Sequence, residues 1–222
     1  MCTIAGVTAR PDLVIFDCDG ILVDSEPIAR HVYQTMLAEL GWNLTDEEYV
    51  DRFVGRSLRA NRRDLQDHLG SALPDGWLDD IVARIRAEYR TGLDRVDGVT
   101  EALDGIDALG IQTCVASSGT HENIEHSLRL VGLYDRFAGR VFSATDVAHG
   151  KPAPDLFLHA AATLSMSPSA CVVVEDSRYG VTAARAAGMR CIAYAGGVTP
   201  AERLTAATVV VDDLRKVPQL LA

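Results

Sequence analysis

Two carboxylates spaced two residues apart, Asp17 and Asp19, are the first residues in the chain that could do chemistry. They follow a short apolar run, residues 13–16, which is typical of a buried parallel strand, and Gly20 places a turn directly after them. Open α/β sheets carry their chemistry at the carboxyl ends of their strands. Two acids at such a position repel each other unless a cation or a shared proton intervenes. One acid can then act as a nucleophile or metal ligand while the other exchanges protons, although acidic turns and calcium loops share this spacing.

Serine and lysine residues follow two other predicted strands. Ser117 and Ser118 come directly after the apolar residues 114–116. A hydroxyl group and the free N–H groups of a helix start suit a phosphate oxygen at this point, and a simple helix cap is the alternative for Ser117. Lys151 lies in a proline-flanked loop, residues 150–155, which favours a cation that is held in place over a solvated one.

Glu175 and Asp176 follow a fourth apolar run, residues 171–174. Adjacent acids at the end of a buried strand favour a bound cation, and Mg²⁺ is the hard, oxygen-binding candidate. Together, the four strand ends supply a carboxylate nucleophile, a second carboxylate, a hydroxyl group, a lysine and a metal-binding acid pair. Phosphoryl transfer needs this set, because the transferred group is anionic and its leaving oxygen must be protonated.

The composition is that of an ordinary globular protein, with 222 residues, 48% hydrophobic and 23% charged. No apolar run approaches the roughly 20 residues of a membrane span, and the first ten residues lack the apolar core of a signal peptide. We therefore expect a cytoplasmic protein without a membrane partner. The net charge of −10 argues against nucleic acid as a partner. It leaves an anionic small substrate open, because a local cationic site can lie on an acidic protein.

Five cysteines are scattered along the chain without a CxxC pair, namely Cys2, Cys18, Cys114, Cys171 and Cys191. This spacing disfavours a zinc site or a disulfide framework. We interpret these cysteines as reduced core residues, and a redox role for Cys18, next to Asp17, is the alternative.

Helical spacing of apolar residues predicts a series of helices between the first strand and about residue 93. They cover residues 27–40, 46–54, 58–69 and 77–89. From Gly98 onward, apolar β-branched runs alternate with single helices, which indicates a parallel sheet with right-handed crossovers. The predicted fold class is α/β, with a Rossmann-like core of parallel strands flanked by helices and a small all-helical domain. The core would comprise residues 1–23 and 94–222, and the helical domain residues 24–93.

The four motifs together resemble those of the haloacid dehalogenase (HAD) superfamily in its phosphohydrolase form. Residues 17–22 read Asp-Cys-Asp-Gly-Ile-Leu, which is similar to the family's first motif, Asp-x-Asp-Gly-(Thr/Val/Ile)-Leu. The match in order and spacing runs from about residue 12 to residue 197. Residues 23–26 (Val-Asp-Ser-Glu) and 150–155 (Gly-Lys-Pro-Ala-Pro-Asp) resemble more closely the β-phosphoglucomutase-like and sugar-phosphate phosphatase branch.

The resemblance implies roles for the two acids of the first motif. Asp17 would be the nucleophile that forms an aspartyl-phosphate, and it would also bind Mg²⁺. Asp19 would be the general acid and base, with its backbone carbonyl on the metal. A dehalogenase of this superfamily has a different residue, typically tyrosine, at the position of Asp19. The acid at this position therefore indicates phosphate chemistry.

The other three motifs would hold the phosphate and the metal, again by resemblance. Ser117 and Lys151 would bind the phosphate, and Lys151 would also orient Asp17. Asp176 would ligate Mg²⁺ directly, and Glu175 directly or through water. The expected cofactor is therefore Mg²⁺, and the expected partner is a small phosphorylated metabolite.

The helical insert is similar to a C1-type cap, which closes over the active site, excludes water and selects the substrate. We expect Gly55 and Arg56, at a break between two cap helices, to face the substrate, and Ser118 to bind it from the core. A solvated helix face is the favoured interpretation of the other arginines nearby, which are Arg59, Arg62 and Arg63.

Three functions remain open on the sequence, and hydrolysis of a sugar phosphate or sugar-acid phosphate is preferred. β-Phosphoglucomutases that resemble this chain carry a histidine on the first cap helix at the position of Ala29. His31 lies two residues away and would point elsewhere on a helix, so mutase activity is the second candidate. A non-catalytic sugar-phosphate binder is the third. A monomer is expected, because a capped chain can close its own site.

Overall fold

The protein is described by a computed structural model, which covers residues 10–70 and 72–222. Cys2 and the start of the predicted core segment lie outside the described residues, as does Ser71. The described residues form a six-stranded sheet in the order β3-β2-β1-β4-β5-β6, in which every adjacent pair is parallel. The strands are β1 (Leu13–Phe16), β2 (Gln112–Ser117), β3 (Val141–Ser143), β4 (Cys171–Glu175), β5 (Arg190–Tyr194) and β6 (Val209–Val211).

Helices lie between the strands and in one long insert after β1. They are α1 (Glu26–Ala38), α2 (Asp46–Arg52), α3 (Leu58–Leu69), α4 (Trp77–Gly92), α5 (Val99–Ala108), α6 (His121–Leu130), α7 (Asp155–Thr163), α8 (Arg178–Ala186) and α9 (Val217–Leu221). Short 3₁₀ helices cover Tyr134–Phe137, Ala144–Asp146, Pro168–Ala170, Ala201–Arg203 and Leu214–Lys216. None of the helices in the described ranges is both long enough and apolar enough to span a membrane.

Strand β1 lies in the middle of the sheet and is buried on both faces. Val14 and Phe16 belong to a hydrophobic cluster that includes residues of α5, α6 and α9. Leu13 and Ile15 belong to a second cluster, which includes residues of α7 and α8. Because successive side chains of a strand face opposite sides, this continuous apolar run requires a layer of helices on each face. The predicted Rossmann-like core with a parallel sheet is confirmed.

Helices α1–α4 pack around a hydrophobic cluster of their own, which includes Tyr33, Leu65 and Trp77. The start of α2 carries a capping box. The Thr45 side chain accepts a hydrogen bond from the N–H of Glu48, and the Glu48 carboxylate accepts one from the N–H of Thr45. Such a box satisfies two N–H groups that a helix start leaves without partners.

The two chain segments that connect this helical layer to the sheet lie side by side. Val23 and Arg95 form an isolated antiparallel bridge, and the N–H of Asp24 donates to the carbonyl of Asp94 at 2.9 Å. The pairing falls at the predicted boundaries of the helical insert. The division of the chain into two domains at these points stays a prediction.

Candidate active site

Asp17 directly follows β1, at the point where the order of the strands reverses. The chain runs from β1 outward to β2 and β3, and then returns to place β4 on the other side of β1. The N–H of Asp17 donates to the carbonyl of Val174 at 2.9 Å, which continues the ladder between β1 and β4 by one residue. Such reversal points open a crevice at the carboxyl ends of the strands. The carboxyl group of Asp17 therefore lies at the edge where this fold binds its ligands.

A buried lysine joins Asp17 to the end of β4. The Nζ atom of Lys151 donates to Oδ1 of Asp17 and to Oε1 of Glu175, both at 2.8 Å. Its side chain is completely buried, and Nζ lies 5.0 Å from the centre of the Phe157 ring. Burial alone lowers the pKa of Lys151, but the charges of Asp17 and Glu175 raise it above its ordinary value. Lys151 is therefore a fixed positive charge, as its proline-flanked loop predicts.

The two acids at the end of β4 have different surroundings. Both oxygens of Glu175 accept hydrogen bonds, Oε1 from Lys151 and Oε2 from the N–H of Ser177 at 2.5 Å. Asp176 is 1% exposed, and neither of its carboxylate oxygens has a hydrogen-bond partner. Burial, followed by the charge of Glu175, raises the pKa of Asp176 well above its ordinary value.

These three acids could hold a metal ion. One carboxylate oxygen each from Asp17, Glu175 and Asp176 lies within 4.8 Å of the others. A buried carboxylate without partners is costly unless it is protonated or binds a cation. Carboxylate oxygens are the donors that hard divalent cations prefer. The unpartnered oxygens of Asp176 therefore fit a divalent cation at this position.

Asp19 lies two residues after Asp17, directly before the turn at Gly20, and is partly exposed. Its Oδ1 atom accepts a hydrogen bond from the hydroxyl of Ser25 at 2.7 Å. Burial raises the pKa of Asp19, although the Ser25 hydroxyl and Lys151 oppose the shift. Burial likewise raises the pKa of Asp17 to about 7, with Lys151 opposing and Glu175 adding to the shift. Because its pKa is raised, Asp19 keeps its proton up to a higher pH than an exposed aspartate does.

Gly20 leaves room for the acid at the end of β4. It has a φ of +74°, and a Cβ atom built on it would lie 2.1 Å from Oδ2 of Asp176. A side chain at this position would both strain the backbone and displace the carboxylate. The glycine in the first motif is thus required by the close approach of Asp176.

The two serines at the end of β2 are arranged differently from each other. Ser117 is the last residue of β2, and its Oγ atom accepts a hydrogen bond from the N–H of Gly119 at 3.1 Å. Ser118 donates its hydroxyl to the carbonyl of Gly55 at 2.9 Å. Ser117 therefore lines the site from the core, whereas Ser118 contacts the helical layer above it.

Gly55 and Arg56 lie where the helical layer meets the sheet. Gly55 has a φ of +77°, and a Cβ atom built on it would lie 2.0 Å from Oγ of Ser177. The guanidinium of Arg56 donates to the carbonyls of Arg52 at 2.8 Å and Ala60 at 3.3 Å. Arg56 lines the cavity below, but these hydrogen bonds hold its guanidinium within the helical layer.

A cavity of about 160 Å³ lies between the helical layer and the sheet. A cavity needs roughly 10–15 Å³ to hold one water molecule. This cavity is several times larger and therefore has room for a small organic ligand. The predicted residues that line it are Asp17, Asp19, Gly55, Arg56, Ser117 and Ser118. Lys151, Glu175 and Asp176 are not in the lining, and Lys151 connects to it through its hydrogen bond with Asp17.

The helical wall of this cavity contains polar residues that the sequence did not indicate. Glu26 is buried, and its Oε2 atom accepts a hydrogen bond from the hydroxyl of Tyr49 at 2.7 Å. Asn61 is 3% exposed and donates from Nδ2 to the hydroxyl of Tyr33 at 3.3 Å. Glu26 lies within the Val-Asp-Ser-Glu segment, but Asn61 falls on a strongly polar helix without any motif. Only the folded structure brings them to one wall.

Burial raises the pKa of Glu26 to about 8. The Tyr49 hydroxyl stabilises the ionised form and opposes this shift, whereas the charges of Asp19 and Asp17 add to it. Glu26 thus holds its proton at neutral pH in the folded protein. It adds hydrogen-bonding capacity to the cavity with little negative charge.

Other sequence interpretations concern residues outside the chemistry. Ala29 lines the cavity and His31 is exposed, so the histidine does not take the place of Ala29. The side chains on the outer face of α3 that the sequence predicts to be solvated are exposed, namely Arg59, Arg62 and Arg63.

Cys18 is buried, and burial raises the pKa of its thiol well above the ordinary value. A thiol of this kind is unreactive, as expected of a core residue.

The family description of haloacid dehalogenase-like hydrolases matches residues 14–194 of the chain. A solved structure from Agrobacterium tumefaciens, a haloacid dehalogenase-like protein of unknown function, is 37% identical with a TM-score of 0.81. That comparison covers 95% of this chain and 97% of the other. The chain belongs to the haloacid dehalogenase-like hydrolase family.

Relatives with named activities point to phosphate chemistry. The 6-phosphogluconate phosphatase of Escherichia coli is 34% identical over 82% of this chain and 81% of its own length. CbbY from Rhodobacter sphaeroides, solved in complex with phosphate, is 26% identical with a TM-score of 0.79, over 93% of this chain and 96% of its own. The resemblance that the four motifs carry is confirmed, and the chain is a phosphatase of this family.

Proposed function

We propose that this protein is a Mg²⁺-dependent phosphohydrolase that cleaves a small phosphomonoester through an aspartyl-phosphate on Asp17. The observation that carries the proposal is the arrangement around Asp17. Its carboxylate accepts a hydrogen bond from Lys151 at 2.8 Å, and the unpartnered carboxylate of Asp176 lies close by. A nucleophile fixed by a cation, next to carboxylate oxygens without hydrogen-bond partners, suits transfer of an anionic group.

Asp17 and Asp176 would hold the ion directly, together with the backbone carbonyl of Asp19. Glu175 would act through water, because both of its oxygens already accept hydrogen bonds within the protein. When bound, Mg²⁺ would offset the negative charge of these acids and of the transferred phosphoryl group.

In the first step, a carboxylate oxygen of Asp17 attacks the phosphorus atom. The bond between phosphorus and the ester oxygen breaks, and the proton of Asp19 passes to that leaving oxygen. The raised pKa of Asp19 supports this role, since its carboxyl group must be protonated when the reaction begins. The Ser25 hydroxyl, which donates to Asp19 at 2.7 Å, would hold the carboxyl group in place.

In the second step, Asp19 accepts a proton from a water molecule as that water attacks the phosphorus atom. The acyl phosphate bond breaks, Asp17 is restored and inorganic phosphate leaves. Ser117 and Lys151 would bind the phosphate oxygens through both steps, together with N–H groups that precede α6. Lys151 is already held by its hydrogen bonds to Asp17 and Glu175, so it needs little reorganisation.

The substrate we propose is a sugar phosphate or sugar-acid phosphate, which the names of several relatives and the size of the cavity support. Ala29 on the cavity wall favours hydrolysis over a mutase reaction, since no histidine takes its place. We further propose that residues 24–93 act as a cap that closes the site within one chain. A monomer and a cytoplasmic location stay predictions from the sequence.

The proposal is tested by phosphate release from a panel of small phosphomonoesters, with Mg²⁺ and with EDTA. The panel is run with the wild type, with Asp17→Asn and with Asp12→Asn, which changes an exposed aspartate at the other end of β1. We expect Mg²⁺-dependent release that disappears only in Asp17→Asn. Release that persists in EDTA or in Asp17→Asn would overturn the proposal.

A further inference from the structure

The helical wall of the cavity contains a hydrogen-bond acceptor without a partner. Asn61 on α3 uses Nδ2 to bind the Tyr33 hydroxyl, but its Oδ1 atom is buried and has no hydrogen-bond partner. Asn61 lines the same cavity as Asp17 and Ser117. A buried polar atom that is left unpaired destabilises the folded protein. A ligand that brings a donor to Oδ1 would remove this penalty.

Two more polar groups on the lining can bind hydroxyls. The carboxyl group of Glu26 uses Oε2 to accept from Tyr49. The Nε2 atom of His126 is buried without a partner, and an imidazole nitrogen can either donate or accept. Together with Asn61, these groups match the hydroxyl groups of a polyol, each of which both donates and accepts.

The cations on the lining are already engaged by the protein. All three guanidinium nitrogens of Arg86 donate, Nε and Nη2 to Oδ1 of Asn123 and Nη1 to the carboxylate of Glu122. Arg56 donates to two backbone carbonyls of the helical layer and lies 3.6 Å from a carboxylate oxygen of Asp64. Each of these cations therefore already has an acidic partner, Glu122 or Asp64, and a second anionic group on the substrate, such as a carboxylate, would compete with that partner for the positive charge.

We propose that Asn61 and Glu26 form a subsite for the hydroxyl groups of an uncharged polyol, and that the preferred substrate is therefore a polyol monophosphate rather than a sugar-acid phosphate or a bisphosphate. The inference rests on the proposed function, keeps its phosphomonoester chemistry and changes the expected leaving group from a sugar or sugar acid to a polyol. It differs from the substrate in the name of the Escherichia coli relative. Asn61 would act as a specificity residue, in contact with the leaving group and away from the phosphorus atom.

The test compares sorbitol 6-phosphate with 6-phosphogluconate, two six-carbon esters that differ only in a hydroxymethyl or a carboxylate at the far end. We expect kcat/KM to be about tenfold or more higher for sorbitol 6-phosphate, since a buried carboxylate without a free cation is disfavoured. Asn61→Leu should raise the KM for sorbitol 6-phosphate about fivefold. Asn43→Leu, which removes an exposed amide of the same helical layer, should leave both values unchanged. Melting temperatures show whether each variant is folded.

Binding of the same two esters to Asp17→Asn, measured by calorimetry, separates this inference from the proposed function. Tighter binding of sorbitol 6-phosphate that depends on Asn61 supports the subsite, even if no ester is hydrolysed. A preference for 6-phosphogluconate, or binding of sorbitol 6-phosphate that folded Asn61→Leu does not weaken, overturns it. If Asn61→Leu does not fold, Asn61→Ala, which removes the amide without adding bulk, takes its place in both measurements.

Discussion

Lys151 carries a single positive charge at the centre of a group of buried acids. It contacts Asp17 and Glu175 directly, whereas Asp176 has no hydrogen-bond donor within reach of its carboxylate. One lysine cannot offset three carboxylates in a buried site, so the remaining charge must be neutralised by a proton or by a cation. This imbalance is the physical reason to expect a metal ion beside Asp176 rather than a structural acidic loop.

Glu26 gives a prediction about stability and pH. Its pKa is raised from 4.5 to about 8 in the folded protein, so the folded state binds more protons than the unfolded state between these values. The free energy of unfolding therefore falls as pH rises through this window. Glu26→Gln should remove the contribution of Glu26 to this pH dependence. Between about pH 5 and about pH 8, the free energy of unfolding should therefore fall by on the order of a few kcal/mol more in the wild type than in the variant.

Urea unfolding in EDTA at these two pH values measures this difference. Glu202→Gln is the control, because Glu202 is exposed and lies outside the cavity. An equal slope in wild type and in Glu26→Gln would contradict the assignment of a buried, protonated Glu26.

The sequence predicts the charged residues of the four motifs, but not the polar residues that reach the cavity only because of how the helices pack. Asp17, Lys151 and Asp176 each end an apolar run, and the ends of parallel strands converge by geometry. Asn61 and Tyr33 carry no such signal, because a polar residue on an amphipathic helix is normally solvated. Their burial depends on how α1 and α3 pack against each other, and on how both lie over the sheet.

The turn after β1 and the end of β4 fit each other closely, which gives a prediction at the scale of elements. Gly20→Ala would place a Cβ atom 2.1 Å from Oδ2 of Asp176. We expect Mg²⁺ affinity to fall about tenfold or more, since residues that orient a ligand have effects of this size. A loss of about 1 kcal/mol in stability should accompany it, because alanine is disfavoured at positive φ.

Gly188→Ala is the matched control for this variant. Gly188 has a φ of +72°, but a Cβ atom at this position meets no atom within 4 Å. It should lose a similar amount of stability and keep its Mg²⁺ affinity, measured by calorimetry for both variants. Equal Mg²⁺ affinity in Gly20→Ala and wild type would contradict the role of Asp176.

Among the helices, the periodic segments were predictable and the shortest one was not. Helix α3 has the predicted bounds, Leu58–Leu69. Helix α9 was missed, because it has five residues and contains Pro218. Its Val217 and Leu221 are buried in the cluster that includes α5, and a Cβ atom on Gly105 would lie 2.7 Å from Pro218. Packing against the core, rather than local propensity, therefore forms α9.

At the scale of the whole molecule, polar contacts hold the helical layer against the sheet. Arg178 and Tyr179 donate to the carbonyl of Asp51 at 2.8 and 3.1 Å, and Arg203 donates to the carboxylates of Glu47 and Asp51 at 3.0 and 3.1 Å. These contacts are mostly exposed and each contributes little. We therefore expect the layer to open and close over the cavity, as substrate entry requires.

Gly55→Ala tests whether this closure matters for turnover. The added Cβ atom would lie 2.0 Å from Oγ of Ser177, so the helical layer could not reach its present position. We expect kcat/KM to fall about 10–100-fold, because small misplacements of a closing element have effects of this size. Gly70→Ala is the control, since Gly70 has a φ of +64° and open space around it. It should lose stability but keep its activity, and equal kcat/KM in both variants would contradict closure at Gly55.

The central claim is that Asp17 becomes covalently phosphorylated, and trapping the phosphorylated protein tests it most directly. Asp19→Asn keeps the nucleophile but lacks the base for the second step, so the intermediate should accumulate. The variant is mixed with Mg²⁺ and p-nitrophenyl phosphate, whose leaving group needs no proton, then quenched in acid and analysed by mass spectrometry. We predict one added phosphoryl group on the peptide that contains Asp17, and none in the Asp17→Asn, Asp19→Asn double variant. Release of phosphate without this adduct, or an adduct on another residue, would contradict the account.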